Sequence, residues 1–245
     1  MPIEGLTELE IINGIFTSIF VFISILIGLR IILKYNKHQI KELITVGISM
    51  IFLSTHWWGN SFSFLFYIAF NYELETVTHL IIENIFTPIA LILWVYSVCS
   101  LAYPTKIRIS LLLITPVCII YYMFLFIGLM VDPEILVIPL SRFDTRSTIL
   151  LLCLKISALF VFITYTVLFG LNLIKDGDKI IQWKGKFLFL AIGLYSLGGF
   201  GSMFLFSLVE LVILRLLLIL SSILFYFSFF IPDPLRKWLI KNEEL

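Results

Sequence analysis

The sequence predicts an all-α membrane protein: a polytopic bundle of seven transmembrane helices, with an outer N-terminus, an inner C-terminus and a short amphipathic helix at the end. Three observations lead there. The 245 residues are 60% hydrophobic and only 13% charged, and mean hydropathy is +1.08. A soluble domain of this length has no core able to hide so much apolar surface, so lipid must act as solvent. Seven stretches also reach the ~20 apolar residues needed to cross a ~30 Å hydrocarbon layer. Lastly, lysine and arginine sort to alternate loops.

The first span, near 11–33, follows Glu4, Glu8 and Glu10 and precedes Arg30, Lys34, Lys37 and Lys41. It lacks the basic leader and cleavage site of a secretory signal, so it reads as an uncleaved span entered from outside. Further spans are expected near 43–70, 79–103, 109–131, 148–174, 187–208 and 211–231, the last two parted by a tight turn around Ser207–Leu211. Loops 34–42, 104–108 and 175–186 and the tail after Pro232 hold most of the basic residues, among them Lys106, Arg108, Lys175, Lys184, Arg236 and Lys237. The opposite loops hold only Arg142 and Arg146, and gather Glu73, Glu75, Asp132, Glu134 and Asp144. Basic loops face the cytoplasm, which requires an odd number of crossings.

Residues 1–231 therefore form the bundle and 232–245 a cytoplasmic tail. There Asp233 suits a helix cap and Pro234 the first turn, while Leu235, Trp238 and Leu239 share a face that can lie on the inner leaflet. The outer loop Asp132–Arg146 carries the apolar run Ile135–Leu140. It either folds over the bundle mouth as a cap or dips into the headgroups.

Polar residues recur at helical spacing within the spans: Asn13, Thr17, Ser24 and Gly28; Ser49, His56, Asn60 and Ser63; Glu83, Thr87, Trp94 and Ser97; Tyr195, Gly199 and Ser202; Arg215, Ser222 and Tyr226. Polar side chains in lipid turn toward the bundle interior, so five spans share a common axis. Gly198 and Ser202 have the small-x-x-x-small spacing of close helix packing.

Glu83, Lys155 and Arg215 are ionisable groups near the outer ends of spans three, five and seven. Such charges cost roughly 2.5–3.5 kcal/mol at a helix centre and mark functional sites. In one reading Glu83 pairs with Lys155 or Arg215, and the remaining cation meets an anionic group of a ligand. In the other, the cations snorkel to the headgroups, Glu83 sits beside His79, and Glu210 partners Arg215. The segment His56-Trp57-Trp58-Gly59-Asn60 lies mid-span, away from the interface where tryptophan collects. Gly59 offers a bend, and His56, Asn60 and Thr87 with the rings of Trp57 and Trp58 can line a cavity. A packed aromatic layer is the plainer alternative. Pro88 and Pro116 are placed to free carbonyls around such a cavity.

Cys99, Cys118 and Cys153 lie in apolar runs and form no disulfide framework or zinc motif. No lysine sits mid-way along span seven for a retinal Schiff base, and three scattered histidines, His38, His56 and His79, suit neither a zinc hydrolase nor a haem. No phosphate-binding loop appears. Catalytic residues, metal and cofactors are therefore not expected, and a net charge of +1 gives no nucleic-acid footprint.

Pro88-Ile-Ala-Leu-Ile-Leu-Trp94, Lys184-Gly-Lys-Phe-Leu188 and Phe225-Tyr-Phe-Ser-Phe-Phe-Ile-Pro232 resemble a family of archaeal-type seven-span membrane proteins to which no activity is attached. The resemblance runs along most of the chain and implies the span count, with no role for any residue. The expected function is a multi-pass cell-membrane sensor or receptor-like protein. It would bind a small or lipidic ligand from outside through Glu83, Lys155, Arg215, His56, Asn60, Trp57, Trp58 and Thr87. Membrane lipids surround it, and a cytoplasmic protein is expected at the basic loops. A small-solute or ion transporter and a structural subunit are the rival classes.

Overall fold

The computed structural model describes residues 5–202 and 207–241. They build helices α1 (Glu8–Leu33), α2 (Tyr35–His38), α3 (Glu42–Leu53), α4 (Trp58–Phe70), α5 (Thr76–Asn84), α6 (Thr87–Ala102), α7 (Ile107–Val131), α8 (Ile149–Ile174), α9 (Lys179–Gly201), α10 (Leu208–Phe229) and α11 (Asp233–Lys241). Strands β1 (Val137–Pro139) and β2 (Thr145–Ser147) pair antiparallel between α7 and α8.

Five helical segments are long and apolar enough to cross a membrane: Glu8–His38, Thr76–Ala102, Pro104–Val131, Ile149–Ile174 and Leu208–Phe229. The rod 42–70 is broken by a 3₁₀ turn, Ser54–Trp57. The length of α9 suffices, but Lys179, Gln182, Lys184 and Lys186 occupy its first eight residues. Large apolar side chains cover the outside, Leu112 (73% exposed) and Phe160 (69%) among them, as in a helix bundle facing lipid.

Neighbouring helices close a ring. The sequence α1, α3–α4, α6, α8, α9, α10 returns to α1, while α7 packs outside on α6. The predicted stripes supply the seams. Ser24 Oγ lies 3.2 Å from Ser222 Oγ, Ser49 donates to the Ala90 carbonyl at 3.1 Å, and Trp94 Nε1 donates to Thr166 Oγ1 at 3.1 Å. Where α1 crosses α3, Gly28 and Gly47 meet so closely that a Cβ on Gly47 would stand 2.5 Å from the Gly28 carbonyl. Gly198 seats the side chain of Leu218 in the same manner.

Both termini of the ring are tied. Thr7 and Glu10 form a capping box at the start of α1, with the Glu10 amide 3.3 Å from Thr7 Oγ1 and the Thr7 amide 2.9 Å from Glu10 Oε2. At the basic end, the Lys34 ammonium stands 5.4 Å over the Phe230 ring. Leu239 of α11 is buried while Trp238 of the same helix is exposed.

Several boundaries differ from the sequence expectation. The basic segment 175–186 is only in part a loop, because Asp178 accepts from the Ile180 amide at 2.7 Å and starts α9 at once. The turn expected around Ser207–Leu211 is already helix: Ser207 caps α10, and residues 203–206, with the end of the sixth predicted span, lie outside the described residues. Span two bends at Ser54–Trp57 rather than at Gly59. Gly59 is instead an approach site, where a Cβ would meet His79 Nε2 at 2.6 Å.

Candidate functional site

A cavity of about 1000 Å³ occupies the ring interior at the end opposite the basic loops. Two helix interruptions face each other at its floor. In the first, the 3₁₀ turn Ser54–Trp57 interrupts the α-helical ladder, and the Ser54 amide turns back on the Ile51 and Phe52 carbonyls. Ser54 and Thr55 hydroxyls donate to the Ile51 and Phe52 carbonyls at 2.7 Å each, and Tyr195 donates to the Leu53 carbonyl at 3.2 Å. In the second, α5 stops at Asn84 and α6 restarts at Thr87 with Pro88 in its first turn. Tyr121 donates to Asn84 Oδ1 at 2.9 Å and Tyr122 to the Ile85 carbonyl at 2.6 Å. Buried backbone must be paired: Tyr195 and Tyr122 satisfy the Leu53 and Ile85 carbonyls, while the Ser54 and Thr55 hydroxyls add to the backbone bonds at Ile51 and Phe52. Phe52 and Phe86 stack across the two breaks at 4.6 Å.

The β1–β2 hairpin covers the mouth, as the cap expectation has it, while its Ile138 and Leu140 side chains stay exposed. Asn60 donates to Asp144 Oδ1 at 2.9 Å, the Arg142 amide reaches Glu10 Oε1 at 3.3 Å, and its guanidinium reaches the Tyr67 hydroxyl at 2.8 Å. Phe143 is buried against Phe64 and Tyr67.

Seven of the eight residues expected to bind a ligand line this cavity: His56, Trp57, Asn60, Glu83, Thr87, Lys155 and Arg215. Trp58 does not. Its ring turns outward against Phe62 and Phe86, and its Nε1 donates to Ser54 Oγ at 2.9 Å. Trp58 opens α4 and turns away, while His56 and Trp57 end the 3₁₀ turn toward the cavity. Trp57 is wedged edge-on between Phe20 at 5.0 Å and Tyr195 at 6.0 Å. His56 Nδ1 lies 3.3 Å from Thr87 Oγ1. Pro116 stands apart, because α7 supplies no lining residue among those described.

The charges divide into two groups. Lys155 Nζ donates to Glu83 Oε1 at 2.6 Å and to Ser147 Oγ at 3.0 Å, with both ion-pair partners under a tenth exposed. His79 stands behind Glu83, Nε2 to Oε2 at 3.9 Å, with its Nδ1 3.1 Å from Ser63 Oγ. Among the described residues, Glu83 Oε2 and His79 Nε2 meet no hydrogen-bond partner. Glu83 therefore pairs with Lys155, not with Arg215, and Lys155 does not snorkel. Arg215 is 3% exposed. Its Nε donates to Thr17 Oγ1 at 3.0 Å, Nη1 to Ser202 Oγ at 2.9 Å and Nη2 to Asn13 Oδ1 at 3.3 Å. Glu210, expected as a partner of Arg215, closes a capping box with Ser207 instead.

Residues the sequence reading missed include Asp144 and Ser147 of the hairpin and the wall residue Phe162. No periodicity marks a short hairpin inside a loop, so only its Ser-Arg-Phe-Asp turn offered a signal. Among the described residues, no group of three or more His, Cys, Asp or Glu side chains is placed to hold a metal ion.

Fold and cavity together define an all-α protein of the membrane-embedded class with an internal, capped site. No protein-family model, curated protein or solved structure matches the chain.

Proposed function

We propose that this chain is a seven-span protein of the cell membrane, with its N-terminus outside and its C-terminus in the cytoplasm, that binds a small or lipidic ligand in the capped cavity and acts as a sensor or receptor-like protein. The seven-span layout is also what the resemblance to the archaeal-type family implies. The observation that carries the reading is the cavity, whose volume of about 1000 Å³ sits at the upper end of the roughly 300–1,000 Å³ typical of ligand pockets. A few polar groups converge in it from separate helices, and apolar side chains make most of its wall.

A binding site fits better than a conduit. Trp94 packs against Phe162 at 5.4 Å and Phe225 at 5.3 Å, and Val95 and Val98 are fully buried below. This layer separates the cavity from the basic end. That end offers Arg30, Lys34 and Lys37 around a second recess, a surface suited to a cytoplasmic partner with acidic side chains.

Gly199 supplies the test, since it lines the cavity and a Cβ there meets nothing within 4 Å. Gly199→Leu should fold and fill the space. Full-length protein in lipid nanodiscs is expected to carry a co-purifying small molecule, identifiable by mass spectrometry, that raises the melting temperature when added back. A ligand at a hundred times its Kd adds about 2.7 kcal/mol. The variant should lose this response. If no extracted compound stabilises the wild type, the structural-subunit class takes its place. Solute flux into proteoliposomes that vanishes in His56→Ala would favour the transporter.

A further inference from the structure

We propose that the cavity takes an anionic amphiphile, a carboxylate or phosphate monoanion on an apolar chain, with its head group received by Arg215. This deepens the ligand-binding reading and rests on it.

Arg215 is a buried cation with no carboxylate in direct contact among the described residues. A guanidinium stays protonated in proteins, and a buried one is costly without a counter-charge. Arg215 is 3% exposed, and its three acceptors, Thr17, Ser202 and Asn13, are all neutral. Among the described residues no carboxylate comes within ion-pair distance of it. Counted over the described residues, five N–H groups less three leave one on each terminal nitrogen, and the residue lines the cavity. A fork of this kind receives carboxylate or phosphate oxygens.

The other buried cation is already satisfied, since Lys155 holds Glu83 at 2.6 Å and Ser147 at 3.0 Å. Arg146 is exposed to solvent, so the charges that bear on the cavity are Lys155 and Arg215 against Glu83 and Asp144. Asp144 acts on Arg215 only through space and spends an oxygen on Asn60, so Arg215 is the cation left without a carboxylate in contact.

An inorganic anion would leave most of the cavity to apolar walls. Leu140, Leu150, Leu159, Phe162 and Leu211 line it beside the cation. A head group at Arg215 with a hydrocarbon chain along these residues satisfies both halves of the site, by charge-assisted bonds at one end and apolar burial along the other.

The experiment uses the full chain in phosphatidylcholine nanodiscs, titrated with dodecanoate, dodecyl phosphate, dodecanol, dodecyltrimethylammonium and inorganic phosphate. The two anionic amphiphiles are expected to bind at least about ten-fold tighter than the alcohol, a difference of about 1.4 kcal/mol, with the ammonium and inorganic phosphate weaker still. Arg215→Gln should erase the preference, bringing the anions' affinities down to that of dodecanol, and Arg215→Lys should retain part of it. Adding phosphatidylglycerol to the nanodisc either displaces dodecanoate, which assigns the site to a bilayer lipid, or does not, which assigns it to a free amphiphile. Equal affinity of the wild type for dodecanoate and dodecanol overturns the anionic head group but leaves the pocket. Failure of every amphiphile to bind overturns the pocket as well.

Discussion

At the scale of single residues, the organising fact is that two buried cations have been treated differently. Lys155 has a carboxylate, Glu83, at 2.6 Å, while Arg215 has only hydroxyl and amide oxygens. Removing one partner of a buried pair strands the other charge and costs roughly 3–5 kcal/mol. Glu83→Gln and Lys155→Met should therefore each destabilise by about that much in denaturant unfolding in detergent. The double variant, which strands nothing, should regain a large part of the loss. If the single losses simply add, the pair contributes no coupling. The identities of these three residues were legible, because an ionisable group inside an apolar run stands out. Which carboxylate meets which cation was not legible, since pairing depends on helix order around the ring. Asn13 and Thr17 were visible as a stripe of spacing four, but nothing local said that the stripe holds a guanidinium.

Among elements, the two facing breaks and the hairpin shape the site. Pro88 marks the break in span three, because proline is favoured in a helix's first turn and removes a ladder bond elsewhere, although α7 runs on through Pro116. The break at Ser54–Trp57 had no such marker and was assigned to Gly59. That glycine instead makes room for His79, a contact between spans that no single-segment reading holds. The capping boxes Thr7–Glu10 and Ser207–Glu210 follow the Ser/Thr-x-x-Glu pattern and are readable in the sequence, where Glu10 also stands as an outer-side charge and Glu210 as a candidate partner of Arg215. Close packing at the α1–α3 crossing gives a paired prediction. Gly47→Ala puts a Cβ 2.5 Å from the Gly28 carbonyl, whereas Gly193→Ala meets nothing within 4 Å. Thermal unfolding should show the first destabilised by about 1–3 kcal/mol and the second neutral or more stable by up to about 1 kcal/mol. Similar losses at both sites would contradict the crossing. For the cap, Asn60→Ala removes a bond to the Asp144 carboxylate. Such bonds contribute about 1.5–3 kcal/mol, so amide exchange across 137–147 should accelerate roughly ten-fold or more. Unchanged protection would mean the hairpin is held without it.

For the whole molecule, composition and helical spacing foretold an all-α, lipid-facing bundle with a shared polar axis. Of the seven predicted spans, the five with polar stripes all lie in the ring; of the two without, α8 joins the ring and α7 packs on its flank. The small hairpin escaped notice because three-residue strands fall below any periodicity. Direction across the bilayer rests on the sorting of basic residues, which cluster at the end farthest from the cavity. Membrane-impermeant maleimide on intact cells tests this most directly. In a background with Cys99, Cys118 and Cys153 replaced by alanine, Leu140→Cys on the exposed hairpin should label from outside. Lys37→Cys should label only after permeabilisation. The opposite pattern would put the cavity mouth in the cytoplasm and contradict an outward-facing site.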